Sequence, residues 1–250
     1  MLKAVGFIGY KGGGKTTAIM SVAKVLKARG YKVAIIKHIP EHDIDKKDTD
    51  TYKFRQVSPL VAAITHDYTA IYCRDTRLNR VIAMIGHEVD FLLIEGFKHA
   101  MFYPHIICAR TLKEVDELRS GLEIAISGPI SEDDNMKREA ERRYNLKVIN
   151  ALKNAEELAD IIEKKAFILP NLNCGLCGYD CSTMAKLIVS GAKSIKDCKA
   201  TYSNSVTVFI DNNPLPLNEF VQKIIRNAIM GILSTLKGFK EGEIRIVIKA

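Results

Sequence analysis

The sequence predicts an α/β protein with a wound, mainly parallel sheet in residues 1–166 and a smaller α+β domain in residues 167–250. Short apolar runs alternate with helical patterns as far as residue 166, which is typical of βαβ units. A glycine-rich stretch joins the first apolar run to the first helical pattern. The composition changes near Pro170, where the chain enters a group of cysteines, and we place the domain boundary there.

Each predicted element follows from its hydrophobic period and its flanking turn residues. We expect strands at residues 3–9, 31–38, 60–65, 69–73, 90–95, 105–109, 123–127 and 146–149. We expect helices at residues 15–29, 50–57, 75–86, 111–119, 133–143 and 153–165. Beyond the cysteines the pattern predicts a strand at 205–211, a helix at 218–237 and a strand at 243–249. Sites in wound sheets lie at the carboxyl ends of strands, so the ends of the first, second and fifth strands are the places to search.

Composition excludes several classes of protein. With 47% apolar residues in 250, the chain can build one or two packed cores, so it is neither fibrous nor disordered. No signal peptide opens it and no apolar run approaches the ~20 residues of a membrane span, so we expect a cytoplasmic protein without membrane contact. The net charge of +8 comes from lysines interspersed with acids. That pattern predicts an anionic small molecule or an acidic partner rather than nucleic acid.

The stretch GYKGGGKTT, from Gly9 to Thr17, fits the phosphate-binding pattern GxxxxGK[ST] between a strand and a helix. Glycines reach positive φ and let backbone N–H groups converge on phosphate oxygens at a helix N-terminus. We expect Lys15 to bind the β- and γ-phosphates and the Thr16 hydroxyl to bind Mg²⁺. The expected nucleotide contacts are Gly9, Gly12, Gly13, Gly14, Lys15, Thr16 and Thr17. This context predicts a P-loop NTPase-like sheet.

The second predicted strand ends at Lys37 and His38, which we expect to bind the nucleotide, and leads into an acidic turn. Four aspartates at 43, 45, 48 and 50 crowd into eight positions and repel one another unless a cation or donors relieve them. We expect Mg²⁺ there, with Asp45 orienting a water and Asp43 and Asp50 in the nucleotide site. A solvated loop balanced by neighbouring lysines is the alternative. His38 and His42 lack a third defined ligand for zinc, so we expect phosphate or substrate contacts from them.

The fifth predicted strand, in VDFLLIEGFKH, delivers Glu95 and Gly96 at its carboxyl end. An acid at this position is expected to bind Mg²⁺ through water or to position the nucleophile, and Gly96 would let the backbone pass close to phosphates. The alternative is a glutamate that only caps a loop. We therefore predict Asp45 and Glu95 as the catalytic acids.

Three segments in order, GYKGGGKTT, IKH with HDIDKKDTDTYKFR, and LLIEGFKH, resemble the molybdopterin-guanine dinucleotide biosynthesis protein B (MobB) family over residues 1 to 165. The resemblance implies a GTP-binding, homodimeric accessory protein, at most a weak GTPase, for the guanylyltransferase that joins GMP to molybdopterin. Two family segments differ here: Lys47, Asp48 and Thr49 replace Pro-Gly-Lys, and Val57, Ser58 and Pro59 replace Ala-Gly-Ala. No [NT]KxD guanine-reading motif is present, so the preference for GTP rests on the resemblance.

Two other classes remain as alternatives. A nucleotide-driven iron-sulfur, electron or metal carrier ATPase of the deviant Walker type resembles GKGGxGKT, with a lysine directly after the first glycine. Tyr10 holds that place here and Lys11 is displaced by one, which argues against it. A kinase or ligase of the dethiobiotin-synthetase type is the second alternative, and the sequence predicts no acceptor pocket for it.

Four cysteines, Cys174, Cys177, Cys181 and Cys198, follow the boundary as CxxCxxxC and a distant fourth. This spacing favours a [4Fe-4S] cluster over zinc, whose usual sites pair two CxxC knuckles, and a thiol redox role remains a further alternative. The segment resembles the four-iron domain of corrinoid iron-sulfur proteins, although its third spacing is one residue shorter than in most of them. Cys73 and Cys108 lie in apolar strands and are expected to be core thiols.

Overall fold

The computed structural model describes residues 2–40, 43–85, 89–200, 206, 208–210, 213–217, 219–240, 244, 246 and 248. The strands are β1 (Lys3–Ile8), β2 (Val33–Lys37), β3 (Leu60–Ile64), β4 (Thr69–Cys73), β5 (Phe91–Glu95), β6 (His105–Cys108), β7 (Glu123–Ser127), β8 (Val208–Ile210) and β9 (Asn213–Leu215). Strands β2-β5-β1-β6-β7, in that order, form a parallel sheet. The inner strands are buried almost throughout, as expected for a parallel sheet covered on both faces.

Helices cover both faces of this sheet. The helices of the described chain are α1 (Lys15–Ala28), α2 (Asp50–Val57), α3 (Leu78–Ile85), α4 (Leu112–Leu118), α5 (Asp134–Tyr144), α6 (Ala155–Lys165), α7 (Cys181–Val189) and α8 (Glu219–Leu233). The apolar stripes of α1 and α6 pack on one face, where Leu26 and Ile162 share a core with Phe7 and Leu93. The expected wound α/β class is therefore confirmed.

The cysteine-bearing segment forms part of the layer on the opposite face. Leu92 and Ile94 of β5 share one buried core with Leu169, Met184 of α7 and Cys198. Residues 167–200 are thus packed against the sheet itself. The division of the chain at residue 166 stays a prediction, but this segment shares a hydrophobic core with the first domain.

Strands β3 and β4 do not join the central sheet, contrary to the expectation of one wound sheet. They pair only with each other, antiparallel, as a hairpin that follows α2. Their side chains are mostly exposed, and Ile64 of β3 is 81% exposed. Val57 at the end of α2 and Tyr68 in the turn of the hairpin are 85% and 79% exposed. The prediction placed these strands in the central sheet because they are apolar. In a strand of five residues, an apolar run alone does not show whether the strand is buried or exposed. The expected strand at 146–149 is reduced to one bridge, between Val148 and Ile126.

Beyond the cysteines, β8 and β9 form an antiparallel hairpin that precedes α8. Most of the predicted strand at 243–249 lies outside the described residues, as does His42. Within the part of the chain that the structure describes, no helix has the length and apolarity that a bilayer-spanning segment needs.

Candidate functional site

The glycine loop between β1 and α1 leaves the first turn of α1 without a side-chain cap. Gly14, with φ of +87°, is the N-cap of α1 and provides no side-chain cap to the first turn. The N–H groups of that turn therefore have no side-chain acceptor at the cap, which is the arrangement that binds phosphate at helix N-termini.

The same loop lies directly against the end of β6. A Cβ atom on Gly9 would stand 2.2 Å from the carbonyl oxygen of Cys108, and one on Gly13 would stand 2.5 Å from it. Only glycine fits at either position without moving the buried strand. Burial raises the pKa of the Cys108 thiol to about 12, so this cysteine is an inert part of the floor.

Lys15 and Thr16 are already directed into the loop. The Lys15 ammonium donates to the carbonyl oxygens of Gly9 and Tyr10, at 3.0 Å and 2.8 Å. The Thr16 hydroxyl donates to Glu95 at 3.1 Å. A lysine held over the loop by two carbonyls can transfer its hydrogen bonds to phosphate oxygens without a rearrangement of the backbone.

Glu95 is the centre of the polar contacts at the carboxyl end of the sheet. Its strand, β5, lies between β2 and β1, and its side chain is 13% exposed. One carboxylate oxygen accepts from Thr16 and the other from the Lys37 ammonium at 3.0 Å. The geometry thus joins three predicted site residues from three separate segments around one carboxylate.

The chain turns sharply after Glu95. Gly96 has φ of +91°, and a Cβ there would stand 2.9 Å from the Cβ of His38. Phe97 has φ of +50°, a conformation that a bulky residue rarely adopts. The rings of His38 and Phe97 stack with their centroids 4.3 Å apart. His38 therefore lies beside the site, as expected, and packs against the strained turn that follows the acid.

The acidic turn has a different partner from the one expected. Asp43 and Asp45 bind the guanidinium of Arg55, at 2.9 Å and 3.4 Å, and the hydrogen bonds from Arg55 lower the pKa of Asp43. Asp45 also accepts from Thr49 and Thr51, both at 3.2 Å. Donors of the turn and of α2 thus relieve this crowding, where we had expected Mg²⁺.

Arg55 ties this turn to the exposed hairpin. Its guanidinium lies over the ring of Tyr72 in β4, and its carbonyl accepts from Arg74. Asp50, in the first turn of α2, is exposed and pairs with Lys53 at 3.7 Å. Asp43, Asp45 and Asp50 therefore pair with side chains of α2. Among the described residues, they take no part in the hydrogen bonds that join Thr16 and Lys37 to Glu95.

The four cysteines lie around one end of α7. Cys181 opens that helix and is buried, as is Cys198, whereas Cys174 and Cys177 are partly exposed. Burial raises the pKa of the Cys198 thiol, and the charges of the other three cysteines raise it further. Cys177, Cys181 and Cys198 also border the same hydrophobic core. Among the described residues, no three His, Cys, Asp or Glu side chains converge as a site for a single metal ion.

Two glycines with positive φ lie between the cysteines in the sequence. Gly175 and Gly178 have φ of +69° and +84° and have open space beside them. The Asn173 side chain accepts from the backbone N–H of Cys181 at 2.9 Å and so fixes the start of α7. Four free thiols on such a loop fit an iron-sulfur cluster, which cysteine thiolates hold.

Two family models match the chain. One, described as "Molybdopterin guanine dinucleotide synthesis protein B" (MobB), covers residues 4–126, and one described as "Putative Fe-S cluster" covers residues 169–200. A Methanocaldococcus jannaschii protein named "Putative molybdopterin-guanine dinucleotide biosynthesis adapter protein" is 32% identical over 241 residues, which make up 95% of this chain and 93% of the relative. The chain belongs to the MobB family.

Other MobB proteins match a smaller share of the chain. The Escherichia coli molybdopterin-guanine dinucleotide biosynthesis adapter protein is 27% identical over 107 residues, 40% of this chain and 61% of its own. The crystal structure of Bacillus subtilis MobB superposes with a TM-score of 0.51 at 22% identity, over 64% of this chain and 98% of that one. This likeness shows that the fold is shared.

Set against the sequence predictions for this MobB-family chain, the structure brings together the glycine loop, Lys37, His38, Glu95 and Gly96. It does not bring Asp43, Asp45 or Asp50 into hydrogen bonds with them. Cys108 is a buried core thiol as expected, but Cys73 is exposed because its hairpin leaves the sheet. Sequence reasoning also missed Arg55, which lies one helical turn after Thr51 and faces the acids; its positive charge beside four aspartates was the available clue.

Proposed function

We propose that this chain is a nucleotide-binding adapter in molybdopterin-guanine dinucleotide synthesis, with a resident [4Fe-4S] cluster. One observation carries the proposal. Lys15, Thr16, Lys37 and Glu95 converge at the carboxyl end of a parallel sheet, next to a glycine loop that admits no side chain at Gly9 or Gly13. The relatives named above carry the adapter role in their names.

In this proposal the loop binds the triphosphate of GTP, and Lys15 exchanges two carbonyl acceptors for phosphate oxygens. Thr16 would hold Mg²⁺ and Glu95 would bind it through water, because a Mg²⁺ bound to phosphates keeps several waters. We assign Lys37 the role of holding Glu95 ionised and oriented. Asp43 and Asp45 would reach the ion only by releasing Arg55. We therefore expect Glu95, rather than these two aspartates, to bind the hydrated ion.

The chemistry favours an adapter over a fast enzyme. Phosphoryl transfer needs a positioned nucleophile and a cation on the leaving group, and a separate arginine commonly supplies part of that charge. In the described residues Arg55, the arginine nearest the acidic turn, is held by Asp43 and Asp45. We therefore propose binding of GTP with weak hydrolysis, and presentation of nucleotide or molybdopterin to the guanylyltransferase.

Cys174, Cys177, Cys181 and Cys198 would hold the cluster, and a bound cluster supplies one-electron chemistry at a potential set by its surroundings. Gly175 and Gly178 allow backbone N–H groups to approach its sulfides. Free thiols are typical of a reducing compartment, which supports our placing of the protein in the cytoplasm.

The exposed hairpin and α2 support a homodimer. An isolated two-stranded hairpin is at best marginally stable in water, and β3–β4 exposes large apolar side chains. Contiguous exposed apolar surface marks protein–protein contacts. We propose that a second copy covers the face formed by Val57, Leu60, Ile64, Tyr68 and Ile71.

The proposal is tested by titration of anaerobically purified protein with GTP and ATP in the presence of Mg²⁺, together with turnover and iron, sulfide and zinc analysis. We expect tighter binding of GTP than of ATP, almost no turnover, and iron with sulfide in place of zinc. Rapid ATP hydrolysis linked to the redox state of the cluster would contradict the adapter and support a carrier ATPase.

A further inference from the structure

The turn that follows β5 contacts the nucleotide site on one side and the core around the cysteines on the other. It begins at Glu95, whose carboxylate accepts from Thr16 and Lys37. The backbone N–H of Gly96 then donates to the carbonyl of Phe7 in β1 at 3.1 Å. The first residues of the turn are therefore part of the site that we assign to the nucleotide.

Phe97, the next residue, has an unusual backbone conformation. Its φ of +50° lies in the left-handed region that a bulky residue rarely occupies. Its ring stacks on the ring of His38, whose backbone N–H donates to the carbonyl of Glu95 at 2.9 Å. Lys98 follows, with its ammonium 5.8 Å from the centre of the Tyr10 ring in the glycine loop. Backbone strain of this kind persists only where surrounding contacts hold it, and it is common in switch regions.

The other side of the turn packs against the segment that carries the cysteines. Phe97, Ala100 and Met101 border the hydrophobic core in which Cys181 and Cys198 are buried. One aromatic ring thus contacts His38 at the nucleotide site and also belongs to the core that the cysteines share.

Hydrogen bonds join the turn to the cysteine segment. The backbone N–H of Leu169 donates to the carbonyl of Phe102 at 2.9 Å. Four residues after Leu169, the Asn173 side chain accepts from the backbone N–H of Cys181 at 2.9 Å, and the Asn173 backbone N–H donates to the Cys181 sulfur at 3.4 Å. The short chain between Leu169 and Asn173 is therefore held at one end by the turn and at the other by a cysteine.

The turn also borders open space. A cavity of about 350 Å³ lies between residues 99–102 and a wall that includes Asn171, Asn173 and Ser182. Close-packed interiors resist displacement, whereas a wall beside a cavity has no neighbour to overlap on that side. The cavity thus gives residues 99–102 room to shift toward or away from the cysteine segment.

We propose that the turn of residues 96–102 couples the two sites, so that a cluster on the four cysteines increases the affinity of the glycine loop for nucleotide. Phe97 is the positioning residue of this coupling. With a cluster bound, the cysteine segment and the turn beside it are ordered, so nucleotide binds with a smaller loss of conformational entropy. Coupling between binding sites is reciprocal, so bound nucleotide also stabilises the cluster. This inference rests on the proposed function and adds a regulation to it: the adapter takes up nucleotide while its cluster is intact.

The test compares the nucleotide affinity of the cluster-loaded protein with that of the same protein after anaerobic removal of the cluster by a chelator and desalting. Fluorescent GTP with Mg²⁺ is the probe, and iron and sulfide are measured in every preparation. Phe97→Asn is the test variant, because asparagine adopts positive φ readily but has no aromatic ring to stack on His38. Phe97→Tyr is the matched control, since it keeps the ring.

We expect the wild type and Phe97→Tyr to bind GTP about 10-fold more tightly with the cluster than without it, within the range of about 5- to 150-fold that coupled sites show. GTP should slow the loss of iron to the chelator in both proteins. Phe97→Asn should hold the same iron but bind GTP with one affinity, that of the cluster-free wild type. A purely structural role of Phe97 would lower both affinities by the same factor, and the unchanged ratio would overturn the coupling.

Failure of the coupling differs from failure of the proposed function. GTP binding by the wild type that does not depend on the cluster would overturn the coupling and leave the nucleotide-binding adapter standing. Absence of GTP binding, or preparations without iron and sulfide, would overturn the proposed function and the coupling with it.

Discussion

Replacement of Lys15 by alanine is the most informative single change in the nucleotide site. Among the described residues, the Lys15 ammonium donates hydrogen bonds to the carbonyls of Gly9 and Tyr10, and these bonds are partly or fully exposed to solvent. Their loss should cost about 1 kcal/mol and lower the melting temperature by about 2–4 °C. A hydrogen bond to a charged phosphate contributes about 1.5–3 kcal/mol, so the affinity for Mg·GTP should fall about 10- to 100-fold.

Lys11→Ala is the matched control for this variant. Lys11 is an exposed lysine of the same loop, displaced by one position from the place that deviant Walker ATPases require. Fluorescent GTP titration should give this control an affinity within about twofold of the wild type. An unchanged affinity in Lys15→Ala would refute the phosphate site, and an equal loss in both variants would show that loop charge alone, rather than the position of Lys15, binds the nucleotide.

Three further outcomes are expected. Cys177→Ser should lose iron and acid-labile sulfide after anaerobic purification while Cys73→Ser keeps both, and equal iron in the two would exclude the four-cysteine site. Burial lowers the pKa of His105 from 6.5 to about 4, so the imidazole is protonated at a higher pH in the unfolded state than in the folded state. The free energy of unfolding should therefore fall by on the order of 3 kcal/mol as the pH drops from about 6.5 to about 4. His105→Gln should remove this pH dependence in urea titrations at stepped pH, and a pH dependence that persists would exclude His105 as its cause. Ile64→Lys should give a monomer in light scattering while Leu152→Lys, at a similarly exposed position, stays dimeric, and a dimer in both would exclude the hairpin face.

The sequence predicted the central sheet because parallel strands are apolar over their whole length and alternate with amphipathic helices. The hairpin β3–β4 was misplaced for the same reason: its residues are as apolar as those of a buried strand. Their exposure depends on whether another surface covers them, and a periodic pattern does not encode that. The cysteine segment was expected to be a separate unit, and its shared core with Leu92 and Ile94 became visible only in the packing.

At the site, the sequence indicated which segments lie near one another, but it did not indicate how their charged side chains pair. Glu95 and Thr16 were assigned from strand ends and loop spacing, and the structure places them 3.1 Å apart. Asp43 and Asp45 were assigned to a cation because like charges need relief, and the structure pairs both with Arg55. The magnesium assignment stays a prediction. From the sequence, the two aspartates could be neutralised by a bound cation or by Arg55, which follows them by ten and twelve residues. Only the fold of the turn onto α2 shows that Arg55 reaches them.

The rate of molybdopterin-guanine dinucleotide formation tests the central claim most directly. A guanylyltransferase would be supplied with molybdopterin and limiting GTP, with and without this protein. The account predicts that the wild type raises the rate and that Lys15→Ala does not, because the adapter acts through the nucleotide held in its loop. No acceleration by the wild type, or equal acceleration by Lys15→Ala, would contradict it.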